Sequence, residues 1–313
     1  MHAGPPQRKA VPAPSGTALP FAALLVANVA LAFGPWFVRL ADTGPVAAGF
    51  WRLGIGTPFL AGLALASGAR PVRLGAGLWW ALIAAGVLFA ADIASWHLGI
   101  GRTTLANATL FGNCATLMFP VYGFLVARAW PTRGQGVALA LAAAGAALLL
   151  GSSYRLDARN LLGDLLCLLA GVLYTGYFIL MARARETMAP LSSLALSTAA
   201  SVLPLLAMAW ALHERVWPGH WGPLVGLALV SQVLGQGCMI YALGKLSPLV
   251  VGLGLLIQPV VAATIGWTVY GERLTPTDLI GALLVAAALV LVRRATPVAP
   301  RTAAPHLALE EAR

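Results

Sequence analysis

Charge is what this sequence has least of. Acidic and basic residues together fill 10% of its 313 positions, where a soluble domain carries about 25%. Beside them 59% of the residues are hydrophobic. That is too little charge to coat a soluble globule and too much apolar surface for one core, so the composition is that of a polytopic membrane protein. Cysteine is scarce as well. Cys114, Cys167 and Cys238 lie inside apolar runs without CxxC spacing, which leaves no metal site or disulfide framework and makes them small buried hydrophobes. HExxH, GxSxG and a paired-aspartate motif are all missing, and His97 has no nearby nucleophile. Nothing points to an intramembrane enzyme, and no cofactor is implied.

The net charge is nevertheless +10, from 18 Arg and two Lys against ten acids. A basic balance can signal nucleic acid, but these arginines stand singly or in pairs between apolar stretches, as membrane-flanking charges do. The expected partners are therefore a lipid bilayer and a small-molecule substrate, with no nucleic acid; the oligomeric state is open. The Arg-over-Lys bias, with so much Ala and Gly, suggests a GC-rich bacterial genome and hence the inner (plasma) membrane.

A bilayer crossing needs roughly 17–25 apolar residues. Ten runs qualify: 18–38, 44–66, 76–98, 104–126, 134–151, 161–183, 190–212, 221–244, 247–270 and 276–293. Residues 1–17 and 295–313 read as disordered tails. A cleaved secretory signal is the other reading of the first run, since Arg8 and Lys9 precede it. With the N-terminus inside, the inner segments hold Arg8, Lys9, Arg70, Arg73, Arg128, Arg133, Arg183, Arg185, Lys245, Arg293, Arg294, Arg301 and Arg313. The outer loops hold Arg39, Arg102, Arg155, Arg159, Arg215 and Arg273, a bias of 13 to 6 that puts both termini in the cytoplasm.

The halves resemble each other at an offset of 141–145 residues. PWFV at 35–38 aligns with GYFI at 176–179, and GPVAAGFWR at 44–52 with APLSSLALS at 189–197. LGIGR at 98–102 aligns with YALGK at 241–245, and AWPTRGQ at 129–135 with ERLTPTD at 272–278. Five spans per repeat is an odd number, so the second repeat (161–293) enters the membrane opposite to the first (18–151). The expected fold is all-α, ten transmembrane helices in two inverted five-helix repeats. That is an architecture of alternating access, with a site near mid-membrane between the halves.

YGERLTPTDLIGALLVAAALVLV at 270–292 resembles the closing signature of the drug/metabolite transporter superfamily, EamA type, carried here by Gly271, Glu272, Thr275 and Gly281. LSPLVVGLGLLIQPVVA at 246–262 is similar to the family's ninth span, with Pro259. The first repeat departs from the pattern: Ala129 stands where the Glu would be, and Pro120 falls four residues late. Within the superfamily the arrangement is most similar to YddG-type exporters of aromatic amino acids. The resemblance implies a transporter of small solutes; the superfamily's cargo includes amino acids, drugs, sugars and nucleotide conjugates.

Polar residues inside spans should face the bundle interior or a wet cavity. LFAADIASWHLGIGR at 88–102 places Asp92, Trp96 and Gly99 on one helical face, with Ser95 adjacent. The eighth span places Gln232, Gln236 and Met239 on one face, with Ser231 and Tyr241 extending the polarity. Asn107, Asn113, Tyr174, Tyr177, Gln258 and Trp36 come from other spans. Each has a plainer reading: Trp36, Trp96 and Tyr177 as interface aromatics, Asn107 and Asn113 as interhelical glue, His97 as an interfacial residue. The expected substrate contacts are Gln232, Gln236, Trp96, Asn107, Tyr174 and Gln258. Spans five and ten, almost without polar residues, read as peripheral packing helices.

Asp92 and Arg52 lie at depths of about 9 and 12 Å from the same side at 1.5 Å per residue. Two roles compete: an ion pair with Arg52, or a proton-coupling carboxylate at Asp92. With no Lys or Arg cluster in mid-membrane and no acid in the first span, phosphate cargo and cationic-drug antiport both fit poorly. The reading is a secondary transporter exporting small zwitterionic or apolar metabolites, amino acids including aromatic ones. The alternatives are drug or other metabolite transport coupled to protons through Asp92, and a non-transport membrane subunit.

Overall fold

A computed structural model describes residues 18–68, 75–114, 132–156, 158–243 and 257–295; among these there is helix and turn but no strand. The helices are α1 (Ala18–Ala32), α2 (Gly34–Leu40), α3 (Pro45–Ala66), α4 (Ala76–Ile100), α5 (Leu105–Gly112), α6 (Arg133–Leu156), α7 (Ala158–Thr187) and α8 (Pro190–Ala211). They continue as α9 (Gly222–Gly226), a π-helical segment π1 (Leu227–Gly235), α10 (Gln236–Leu243), α11 (Ile257–Tyr270) and α12 (Pro276–Ala295). Arg8, Lys9, Arg70, Arg73, Arg128, Lys245, Pro120, Ala129 and both tails lie outside the described residues, as do the later part of the expected fourth span and the start of the ninth.

Six stretches are long and apolar enough to cross a bilayer: Ala18–Leu40, Pro45–Ala66, Ala76–Ile100, Ala158–Met181, Leu191–Ala211 and Gly222–Met239. Shorter apolar helices run over Gly136–Gly145, Val260–Tyr270 and Pro276–Ala288. The chain is a multi-pass membrane protein. Its largest exposed side chains fit that: Leu203, Trp210, Val260, Trp267 and Leu283 point outward, an apolar surface far beyond what water tolerates on a soluble monomer.

Local sequence explains where the helices bend and stop. Pro35 has no N–H to give the preceding turn, so the first span breaks at Phe33 into α1 and α2. Pro58 and Pro204 sit inside α3 and α8. Gly271 ends α11 in the left-handed region, φ +65°, which only glycine adopts cheaply. The turn it makes lets the Glu272 N–H reach the Gly266 carbonyl at 3.0 Å, a helix stop of the Schellman kind. Thr275 then starts α12: its hydroxyl accepts from the Asp278 N–H at 3.2 Å, and Asp278 accepts from the Thr275 N–H at 2.9 Å. The Gly-Glu-x-x-Thr signature is thus a stop, a carboxylate presented between two helices, and a start.

The long contacts cross between the two halves of the chain. α3 packs on α8, α4 on α7 and α8, α1 on π1 and α10, α5 on α11, and α6 on α12. The last pair meets where a Cβ on Gly145 would stand 2.7 Å from the Gly281 carbonyl, the small-residue contact expected of packing helices. Val46, Leu53, Phe89, Ile93 and Leu205 build the core around the α3–α4–α8 contact. Phe111, Leu105 and Val285 build another toward α5 and α12.

Candidate functional site

The polar centre of the bundle is Arg52, one side chain on α3 and 2% exposed. Its Nε donates to Gln232 Oε1 on π1 at 3.1 Å. Its guanidinium lies over the Trp96 ring of α4, 5.7 Å from the centroid, within cation–π range. Asp92, one turn earlier on α4, and Tyr174 on α7 interact with it electrostatically. Four elements from both halves therefore converge on one cation.

Local sequence lets them converge. Gly56 is one turn beyond Arg52 on α3, and a Cβ there would stand 2.9 Å from Gln232 Cγ; glycine is what allows the Gln232 stem against this helix. Gln232 itself sits in π1, whose wider turn redirects side chains relative to α-helix and recurs at functional sites. Gly34, at the break between α1 and α2, faces Ser231 Oγ and the Trp96 ring together, at 3.1 and 3.6 Å from the Cβ position. The Trp96 indole N–H donates to the Ala108 carbonyl at 3.0 Å, which fixes the ring.

Arg52 and Asp92 do not meet. Asp92 is 7% exposed, yet among the described residues it has no ion pair within 4.0 Å and its carboxylate accepts no hydrogen bond. The guanidinium's partner is the Gln232 amide. Among the described residues, three groups here are buried without a hydrogen-bond partner: Arg52 Nη1, Gln232 Nε2 and Ser231 Oγ. In folded proteins most buried donors are paired.

An aromatic wall adjoins this centre. Phe89 is one turn before Asp92 on α4 and stacks on Tyr177 at 4.7 Å; Tyr177 stacks on Tyr174 at 5.7 Å. The Tyr177 hydroxyl is 3.2 Å from the Ser197 hydroxyl of α8. Tyr177 is buried in the bundle.

The other expected contacts fall elsewhere. Asn107 Nδ2 donates to Asp164 Oδ2 of α7 at 3.2 Å, and the Thr103 hydroxyl donates to Asp164 Oδ1. Gln258 Nε2 donates to Asn28 Oδ1 at 2.8 Å, and Gln258 Oε1 accepts from Asn113 at 3.5 Å. These two networks join α5 to α7 and α1 to α11 to α5. Gln236 opens α10, half-buried, with no side-chain hydrogen bond among the described residues. His97 is buried: its Nδ1 lies 2.9 Å from the Pro45 carbonyl, which can only accept, so Nδ1 carries the proton and secures the start of α3. Sequence reasoning passed over Asp164 and Asn28, although a lone polar residue in an apolar run was the signal that singled out Asp92.

At one end of the bundle the halves are tied. Arg39 Nη1 pairs with Glu272 Oε1 at 2.5 Å, and the Leu105 N–H donates to Glu272 Oε2 at 2.9 Å. Nearby, Glu214 accepts from the Ala47 N–H at 2.8 Å at the start of α3, and the Trp51 indole donates to the Val216 carbonyl at 2.8 Å. Asp42 accepts from the Gly219 and His220 N–H groups at 2.8 and 3.2 Å. Desolvation alone would raise the Asp42 pKa; these backbone donors outweigh it and hold the carboxyl below its ordinary value.

Residues 161–294 match the profile of the EamA-like transporter family. Over that segment, the second half of the chain, the sequence is similar to EamA-type members of the drug/metabolite transporter superfamily. That similarity supports a membrane transporter of small substrates. A solved structure titled only "Crystal structure of protein" aligns with it at a TM-score of 0.57 and 20% identity, over 92% of this chain and 99% of its own; that likeness is one of fold. No curated protein matches the EamA-like chain.

Proposed function

We propose that the chain is a secondary transporter that exports small zwitterionic or apolar metabolites, amino acids including aromatic ones, by alternating access. Its scaffold is ten spans in two inverted five-helix repeats, residues 18–151 and 161–293, in a bacterial inner membrane with both termini cytoplasmic.

The observation that carries the reading is the way the packing exchanges between halves. α4 against α7 has its counterpart in π1 and α10 against α1, and α4 against α8 in π1 against α3. The pairs α3–α8 and α6–α12 are their own counterparts. In an inverted repeat, exchanging the conformations of the two halves opens the bundle to the other side. Its polar centre lies on the seam, where a cargo would feel both halves. Gln232, Gln236, Trp96, Asn107, Tyr174 and Gln258 are the proposed contacts, nearest the cargo where they adjoin Arg52. The aromatic wall supports cargo with an apolar or aromatic side chain.

A second reading is supported by Asp92, a buried residue that has no ion pair at contact distance among the described residues and lies beside a cation: cargo movement coupled to protons through this group. The test of both is a solute panel in proteoliposomes with and without a pH gradient. Uptake of neutral amino acids is expected, and a gradient dependence that Asp92→Asn abolishes would favour coupling. Absence of transport across the panel would defeat the proposal.

A further inference from the structure

We propose that Arg52 and Asp92 are the two jaws of a zwitterion clamp, Arg52 with Gln232 taking the cargo's carboxylate and Asp92 its ammonium. This rests on the reading of the chain as an amino-acid transporter and specifies how that site recognises its cargo.

Opposite charges in a weakly polar interior attract strongly, so the open spacing of Arg52 and Asp92 needs a cause. The cause is in the neighbours. Gln232 Oε1 holds Arg52 Nε at 3.1 Å, the Trp96 ring lies against the guanidinium, and Gly56 admits the Gln232 stem from the same helix as Arg52. The guanidinium is positioned by an amide and a ring and not by an acid.

What remains around it is donor-rich. Arg52 Nη1 and Gln232 Nε2 are both buried and unpartnered among the described residues, on residues 2% and 0% exposed. A carboxylate is the complementary group, since it accepts several N–H bonds and neutralises the guanidinium; a neutral carbonyl would leave a buried charge uncompensated. Asp92 presents the opposite chemistry, a carboxylate accepting nothing among the described residues. A zwitterion supplies both partners at once and brings no net charge into the bundle. A simple anion satisfies Arg52 and leaves Asp92 facing it; a simple cation does the reverse. Phe89, one turn from Asp92, and Tyr174, within electrostatic reach of Arg52, begin the aromatic wall, so the side chain of a clamped amino acid has an apolar surface beside its head group.

The experiment measures binding of phenylalanine, phenylalanine methyl ester and 3-phenylpropionate to the purified full-length protein in lipid nanodiscs. Phenylalanine should bind, and each singly charged analogue should bind at least about tenfold more weakly, the loss of one charge-assisted contact. Asp92→Asn should bring phenylalanine down to the level of 3-phenylpropionate, and Gln232→Ala should weaken both carboxylate ligands. Arg52→Gln risks misfolding, so the ligand series on the unaltered protein carries the test. Equal binding of all three ligands overturns the clamp and leaves the transporter reading standing. Binding of none overturns the amino-acid reading, and the clamp with it.

Discussion

Arg39 and Glu272 stand 233 positions apart in the chain and 2.5 Å apart in the fold. Arg39 spends its other donors on the Ile100 carbonyl at 3.2 Å and the Thr103 carbonyl at 2.5 Å, and its guanidinium lies over Tyr270. One side chain thus ties the end of α2 to the α4–α5 turn and to the stop after α11. If alternating access operates, this end must come apart in every cycle, and the Arg39–Glu272 pair is one of the contacts that oppose it.

Breaking that latch should favour opening at its end of the bundle. We expect Glu272→Gln to raise several-fold the rate at which a membrane-impermeant thiol reagent, added from that side, labels a cysteine introduced at Ser231. The exchange of Arg39→Glu with Glu272→Arg should restore only part of the wild-type rate, because a carboxylate cannot donate to the Ile100 and Thr103 carbonyls. Unchanged labelling at wild-type folded yield would remove the latch from the account.

Gly56→Ala should disturb the site without unfolding the bundle. Its Cβ would meet Gln232 Cγ at 2.9 Å, and a flexible side chain gives way more easily than backbone. The cost of such overpacking is about 1–3 kcal/mol, and the displaced amide would lose its bond to Arg52. Binding of a carboxylate ligand should weaken while the melting temperature falls only modestly. Adding Gly56→Ala to Gln232→Ala should change little further, since the two act through one contact. Additive losses in that double-mutant cycle would show that Gly56 matters for another reason.

Asp42 should make the latch end sensitive to acid. Its folded-state pKa lies below its ordinary value of 3.8. For a carboxyl so depressed, the stabilisation is complete above the unfolded value and is lost as pH falls through the folded one. Melting measured from neutral pH down to that range should show a step that Asp42→Asn removes. An identical acid profile for the variant would mean that the Gly219 and His220 hydrogen bonds do not depend on the charge.

The spans were legible because bilayer chemistry writes them as long apolar runs: the expected 44–66, 190–212 and 276–293 fall within about two residues of α3, α8 and α12. The break at Phe33 depends on which carbonyl Pro35 deprives, and a hydropathy count does not register it. The π1 segment was not legible in LALVSQVLG, because apolar residues of this kind fit an α-helical and a π-helical ladder alike. Gln232 and Trp96 were recognisable as polar or amphipathic residues in apolar company. That Asn107 would be taken by Asp164, and Gln258 by Asn28, was not recognisable, since pairing between distant helices is a property of the packed bundle. Arg52 was visible as a charge, but read as a counter-ion; its role as the centre follows from Gly56, whose meaning appears only when Gln232 is seen against it.

The Arg52–Gln232 hydrogen bond has its donor in one half and its acceptor in the other. No single half contains a working recognition element, only a complement to one. Were such genes to arise by duplication, the two copies could not drift freely afterwards: a change of residue at 52 alters what is tolerable at 56 and at 232. Specificity in this architecture is then inherited as a matched set, and recombination that separates the halves would pass on the scaffold while dissolving the preference for its cargo.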